Sequence, residues 1–189
     1  MHTLSMAARI IPQLNIQHFH EMEALELQFY DAEFIAPAEE TWRWYEQHPH
    51  STIAAEADGS LVGFINLFPV KPEVYRAIVS GEFNDHFMEV SDLAPLDASP
   101  LHMFLSCVVV HRHYRHQGII RLLLRAAVQS YAGKPCAGIV TDNVTEDGCR
   151  FSERFGFRFI RESDHQSRIY EQSWHEFVSR VQADSVDKR

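Results

Sequence analysis

The chain has 189 residues, 46% of them hydrophobic and 23% charged, which suits one folded domain with a sizeable core. Seventeen basic against 26 acidic side chains leave a net charge of -9, which argues against a general nucleic-acid binder, because such proteins need a basic face to displace counterions from phosphate. No window approaches the roughly 18 apolar residues of a membrane span, and Met1 to Ala8 lacks the apolar run of a signal peptide, so a cytoplasmic chain without a membrane partner is expected.

Arg9 to Leu14 reads as a short opening strand, with Pro12 suggesting a sheet edge. Asn15 to Tyr30 follows as a helix, because Ile16, Phe19, Met22, Leu25 and Phe29 recur at spacings of three and four. A second helix runs from Pro37 to Gln47: proline suits a first turn, and Glu39 and Glu40 suit the positive end of the helix dipole. Thr52 to Ala57 and Leu61 to Phe68 flank Asp58-Gly59-Ser60 and predict an antiparallel hairpin, which Pro69 to Pro72 ends. Glu73 to Ser80 predicts a short helix closed by Gly81. Glu82 to Pro100 is polar and irregular, with Glu82, Asp85, Glu89, Asp92 and Asp97 along it, and long irregular connections more often carry function than short ones.

Phe104 to Val110 is an apolar run ending in three valines, the text of a strand covered on both faces. His111 to Gln117 then supplies cations and donors, Gly118 follows, and Ile119 to Val128 predicts an apolar helix with Arg121 and Arg125 on its wet side. Further on, Cys136 to Thr141 predicts a strand, and Thr145 caps a helix whose first turn is acidic. Arg158 to Glu162 and Arg168 to Glu171 predict a final hairpin, and Trp174, Phe177, Val178 and Val181 an amphipathic terminal helix before a polar, frayed end from Ala183 to Arg189. Cys107, Cys136 and Cys149 are odd in number and lack a Cys-x-x-Cys spacing, so buried thiols are expected rather than disulfides or a zinc site.

The turn before Gly118 has a physical use. The first amides of a helix have no partner within it, the aligned peptide dipoles add positive charge there, and a residue without Cβ lets an anion approach the backbone. Strand, Arg115-His116-Gln117-Gly118-Ile119-Ile120, long apolar helix: this text resembles the acyl-CoA-binding motif of the GNAT-type N-acetyltransferases, Arg/Gln-x-x-Gly-x-Gly/Ala. Arg115 and Gly118 match, while Ile120 stands where the family prefers Gly or Ala, a bulkier side chain that still leaves its N–H. Leu61-Val62-Gly63-Phe64-Ile65 and Gly156-Phe157 resemble two further family stretches, in the family's order.

The resemblance implies a single GNAT-like α/β domain over residues 1–173, with a mixed, mostly antiparallel central sheet flanked by helices, then a C-terminal helix and tail over 174–189. It implies acetyl-CoA as cofactor, the pyrophosphate held by Arg115, His116, Gln117, Gly118, Ile119 and Ile120, and the pantetheine arm paired along Val108, Val109 and Val110. Family members often place Asn and Tyr later, to contact the cofactor and to protonate the departing thiolate; the matching positions here are Thr145, with Asn143 two residues earlier, and Ser152. Glu89, Asp92 and His102 precede or begin the strand that would carry the thioester, and are the candidate bases.

The implied activity is acetyl transfer from acetyl-CoA to a primary amine, on a small molecule or a peptide, by direct attack. The rival is a CoA-binding sensor or structural module without turnover, which Ile120 and Ser152 favour. A homodimer is one option for assembly. Among 12 histidines, His111 and His113 alternate as metal ligands can, but no further ligand pattern accompanies them, and no metal is expected.

Overall fold

The structure is a computed structural model that describes residues 7–183; Met1 to Met6, read above for a signal peptide, and the polar end beyond Ala183 lie outside the described residues. Among the described residues the elements run β1 (Arg9–Ile10), α1 (Ile16–Glu26), α2 (Ala38–Gln47), β2 (Thr52–Ala57), β3 (Ser60–Val70), α3 (Pro72–Ser80), β4 (Leu101–Val110), α4 (Ile119–Ser130), β5 (Cys136–Asn143), α5 (Glu146–Arg154), β6 (Arg158–Glu162), β7 (Arg168–Ser173) and α6 (Trp174–Ala183). The strands form one seven-stranded sheet in the order β1-β2-β3-β4-β5-β7-β6. β4 and β5 run parallel, whereas β1–β2, β2–β3, β5–β7 and β6–β7 are antiparallel, so this is an α/β fold on a mostly antiparallel sheet, as expected.

The chain divides into two compact units: the residues up to Asn66 with Cys107–Ser130, and Leu67–Ser106 with the residues from Tyr131 onward. In the first unit the apolar faces of α1 and α2 close over the strands, burying Phe19, Met22, Leu25, Ala54, Phe64, Cys107 and Val109 together. Trp42 and Tyr45 of α2 pack their rings on Phe19, each 5.4 Å away between centroids. Asn15 and His18 cap α1 reciprocally: Asn15 N–H donates to His18 Nδ1 at 3.0 Å, and His18 N–H donates to Asn15 Oδ1 at 3.3 Å. The helix stops at Glu26, short of the expected Tyr30, and Phe29 and Tyr30 reach the core from the turn after it.

The second unit buries Leu101, Met103, Phe104 and Leu105 of β4, Ile139 and Val140 of β5, and Trp174, Phe177 and Val181 of α6. Among the differences from the sequence reading are two strand ends and one burial. β1 is two residues long; although Ile11 N–H still donates to Ala54 O at 2.9 Å, Pro12 has no N–H to extend the ladder. β3 runs through Pro69 to Val70, because the connection that follows supplies a partner: Ala94 N–H donates to Pro69 O at 2.9 Å, and Val70 bridges to Leu93. Cys136, expected to be buried, is half-buried at the start of β5.

Candidate functional site

In the first unit, the end of β4 and the start of α4 build the turn. Val109 and Val110 are buried and Val108 half-buried, and an added Cβ at Gly63 of β3 would lie 2.7 Å from Val109 O, so only glycine permits that backbone approach. His111 N–H continues the ladder to Val62 O at 2.9 Å. The chain then coils through a 3-10 turn at Arg112–Tyr114, tied by Gln117 Nε2 donating to His113 O at 3.0 Å.

His116 and Gly118 both take left-handed backbone, at φ 65° and 82°. Nothing lies within 4 Å of where a Gly118 Cβ would sit, so the space over this glycine is open. Gly118 O accepts the first helical bond, from Leu122 N–H at 3.1 Å, which leaves the amides of Ile119 and Ile120 ahead of the intrahelical ladder. The first turn of α4 carries no acid. The guanidinium groups of Arg112 and Arg115 lie 5.2 and 5.1 Å from the centre of the Phe29 ring, which fixes two cations beside the turn. Backbone donors ahead of the helical ladder, a positive helix end and nearby arginines fit a phosphate-bearing group.

The remaining sequence-derived candidates lie in the second unit, in three separate settings. Asn143, Ser152 and Thr145 come together where β5 meets α5. Asn143 Nδ2 donates to Ser152 Oγ at 2.7 Å, Thr141 Oγ1 donates to Asn143 Oδ1 at 3.3 Å, and Thr145 Oγ1 caps α5 by accepting from Gly148 N–H at 3.1 Å. Ser152 is 0% exposed. Glu89 and Asp92 share one 3-10 turn, where Glu89 N–H donates to Asp92 Oδ2 at 2.8 Å. His102 sits inside β4 with its ring 4.8 Å from that of Tyr75, and its Nδ1 is buried without a partner. Tyr75 Oη donates to Glu171 Oε1 at 2.8 Å, and burial followed by that carboxylate pushes the phenol well above its ordinary range.

A fourth group escaped the sequence reading. Asp142, the penultimate residue of β5, faces His165 of the β6–β7 turn, with Asp142 Oδ2 2.6 Å from His165 Nε2. Burial raises the Asp142 carboxyl against the opposing pull of Ser167 and His165. Asp85, from a 3-10 turn between α3 and β4, accepts from Ser106 Oγ at 3.2 Å, and its carboxyl is pushed up to about 6 by burial and then by Asp142, with Ser106, His165 and His86 opposing. The available signal was Asp142 itself, a charge directly after the strand expected over Cys136 to Thr141.

Among the described residues, no three His, Cys, Asp or Glu side chains group as metal ligands, and no helix is long and apolar enough to cross a membrane.

Comparison with curated proteins gives no match. Among solved structures, the loading GNATL domain of CurA from Lyngbya majuscula is similar at 13% identity, over 93% of this chain and 98% of that one, with a TM-score of 0.64. The GphF GNAT-like decarboxylase in complex with isobutyryl-CoA is 15% identical over 87% and 98% of the two chains, with a TM-score of 0.63. The PaiA N-acetyltransferase of Thermoplasma acidophilum in complex with coenzyme A is 16% identical over 89% and 100%, with a TM-score of 0.59. These likenesses bear on the fold. The model of the acetyltransferase (GNAT) family matches residues 19–157, a span that holds β2 to α5 with the turn at Gly118, and the chain belongs to that family as an acyltransferase domain.

Proposed function

We propose that this chain binds acetyl-CoA and transfers the acetyl group to a primary amine by direct attack. The observation that carries the reading is the open, acid-free turn at Gly118, at the head of α4, in a chain of this family. Bound acetyl-CoA supplies an acetyl thioester ready for attack by an amine. Arg115, His116 and Gln117 surround the pyrophosphate in this reading, and the amides of Gly118, Ile119 and Ile120 donate to it. Ile120, bulkier than the Gly or Ala the family prefers there, is half-buried and keeps its N–H. Backbone groups of Val108, Val109 and Val110 pair with the pantetheine arm, and a preorganised N–H there would stabilise the developing oxyanion by about 3 kcal/mol.

Asn143 donates one amide hydrogen to Ser152 and retains a second for a ligand. Thr145 contributes through the turn it caps. Ser152 is enclosed and already accepts from Asn143, so in this reading it orients Asn143 and the sulfur leaves as thiolate, which a thiol pKa of about 8.5 permits. Glu89 and Asp92 hold their turn, and His102 lies against Tyr75, so none of the three is preferred as the base. The enclosed Ser152 also favours the rival reading, a CoA-binding module without turnover.

Calorimetric titration with acetyl-CoA and with CoA tests the cofactor, and release of free thiol in the presence of primary amines tests turnover. Saturable binding that Gly118→Glu weakens at least ~100-fold is expected, since a carboxylate would occupy the phosphate's place. Unchanged affinity in that variant would remove the turn from the reading, and binding without thiol release from any amine would leave the sensor.

A further inference from the structure

We infer that Asp142 and His165, backed by Asp85, form a carboxylate–imidazole dyad that receives a primary ammonium group and takes a proton from it. The inference rests on the acetyl-transfer reading only for the use made of the freed amine.

Four segments far apart in the chain meet here: the connection before β4 through Asp85, β4 through Ser106, the end of β5 through Asp142 and the β6–β7 turn through His165. A carboxylate only accepts, so the 2.6 Å contact places the imidazole proton on Nε2 and leaves Nδ1 of the neutral ring with its lone pair. The two ends of the dyad differ in access: the Asp142 side chain is 5% exposed and that of His165 is 20% exposed. The acid therefore lies behind and the base toward solvent. This is the order in which a buried carboxylate orients an imidazole and stabilises its cation.

The turn holds His165 in place. Ser163 Oγ accepts from the N–H groups of His165 at 3.2 Å and Ser167 at 3.0 Å, and the Ser163 and Ser167 hydroxyls lie 2.6 Å apart. Ser167 Oγ also lies 3.1 Å from His165 Nε2. Gln166 adopts left-handed backbone at φ 65° to close the turn.

One atom has no structural purpose in this arrangement. Asp142 Oδ1 is buried without a hydrogen-bond partner, an arrangement that folding alone disfavours. A buried acceptor oxygen left without a partner behind a half-buried imidazole favours a cation that can reach it. Among the described residues, Asp142 on β5 and Asp85 on the connection interact electrostatically with His165, and His86 with Asp85. Two carboxylates select a cation, and the proton-accepting Nδ1 selects one that carries an N–H.

The proton inventory closes. A primary ammonium gives one proton to His165 Nδ1, forming an imidazolium opposite Asp142 and an amine with a free lone pair. The amine nitrogen bonds to the acyl carbon, the C–S bond breaks, and the nitrogen sheds its second proton, which the thiolate takes up. The imidazolium returns its own proton to solvent through its exposed edge.

Two measurements on the full chain decide the matter. In the first, the His165 ring nitrogens are followed by 15N NMR while n-propylammonium chloride, or tetramethylammonium chloride at equal ionic strength, is added without CoA. Expected are an Nε2–H tautomer for the neutral ring and a saturable shift with propylammonium only, lost in Asp142→Asn and recovered in Asp142→Glu. The same response to both cations, or none to either, overturns the ammonium site.

In the second, thiol release from acetyl-CoA is followed against pH with the best amine found. His165→Gln should lower kcat about 100-fold or more, flatten the acid limb of the profile and respond to added imidazole, which a purely structural role would not do. Thiol release indifferent to His165→Gln sinks the dyad and leaves acetyl transfer standing. The NMR shift without any thiol release sinks acetyl transfer and leaves the ammonium site.

Discussion

Asp85 carries a proton cost that its sequence position does not reveal. It sits in a polar connection, yet it is half-buried and near Asp142, and burial and then that neighbour lift its carboxyl from 3.8 to about 6. An acid raised on folding binds its proton more tightly in the native state, so stability must fall as pH rises from about 4 to about 6 and stay lower above that. The shift corresponds to roughly 3 kcal/mol at most. Asp85→Asn keeps an acceptor for Ser106 and cannot ionise. Urea denaturation across pH 4 to 7 should therefore show the variant gaining on the parent through this window and exceeding it at the top. Parallel curves would mean that Asp85 is solvated.

Legibility from sequence followed the range of the interactions that build each element. The hairpin around Asp58-Gly59 and the strand, turn and helix from Val108 through Gly118 were readable because apolar period and turn chemistry act over a few residues. The connection before β4 was not. Its two 3-10 turns are held by local polar bonds without apolar period, such as His86 N–H to Asn84 Oδ1 at 3.1 Å. Asp85, Asp142 and His165 meet only through folding, so no spacing marks them. Ser152 was readable as a position but not as an environment: a serine on a nine-residue helix proved 0% exposed and bound to Asn143 at 2.7 Å. Ser152→Ala leaves one Asn143 donor without its acceptor where α5 meets β5, at a cost of about 1–2 kcal/mol. A matching fall in the urea midpoint with unchanged m-value is expected. An unshifted midpoint would show that the bond contributes no net stability.

At the scale of the whole molecule, the boundaries between the two compact units fall inside strands: between Asn66 and Leu67 in β3, and between Ser106 and Cys107 in β4. A strand shared in this way cannot leave its neighbours in one unit without fraying the same strand in the other. Unfolding should therefore be a single calorimetric transition. The turn at Gly118 belongs to the first unit alone, yet its ligand should move the whole transition. At a CoA concentration of 100 times Kd the native state gains about 2.7 kcal/mol, which for a chain of this size is about 5–10 °C in Tm. Gly118→Glu should retain the single transition and lose the shift. Two transitions, with CoA raising only one, would show that β3 and β4 do not couple the units, and would map the cofactor to the unit that moved.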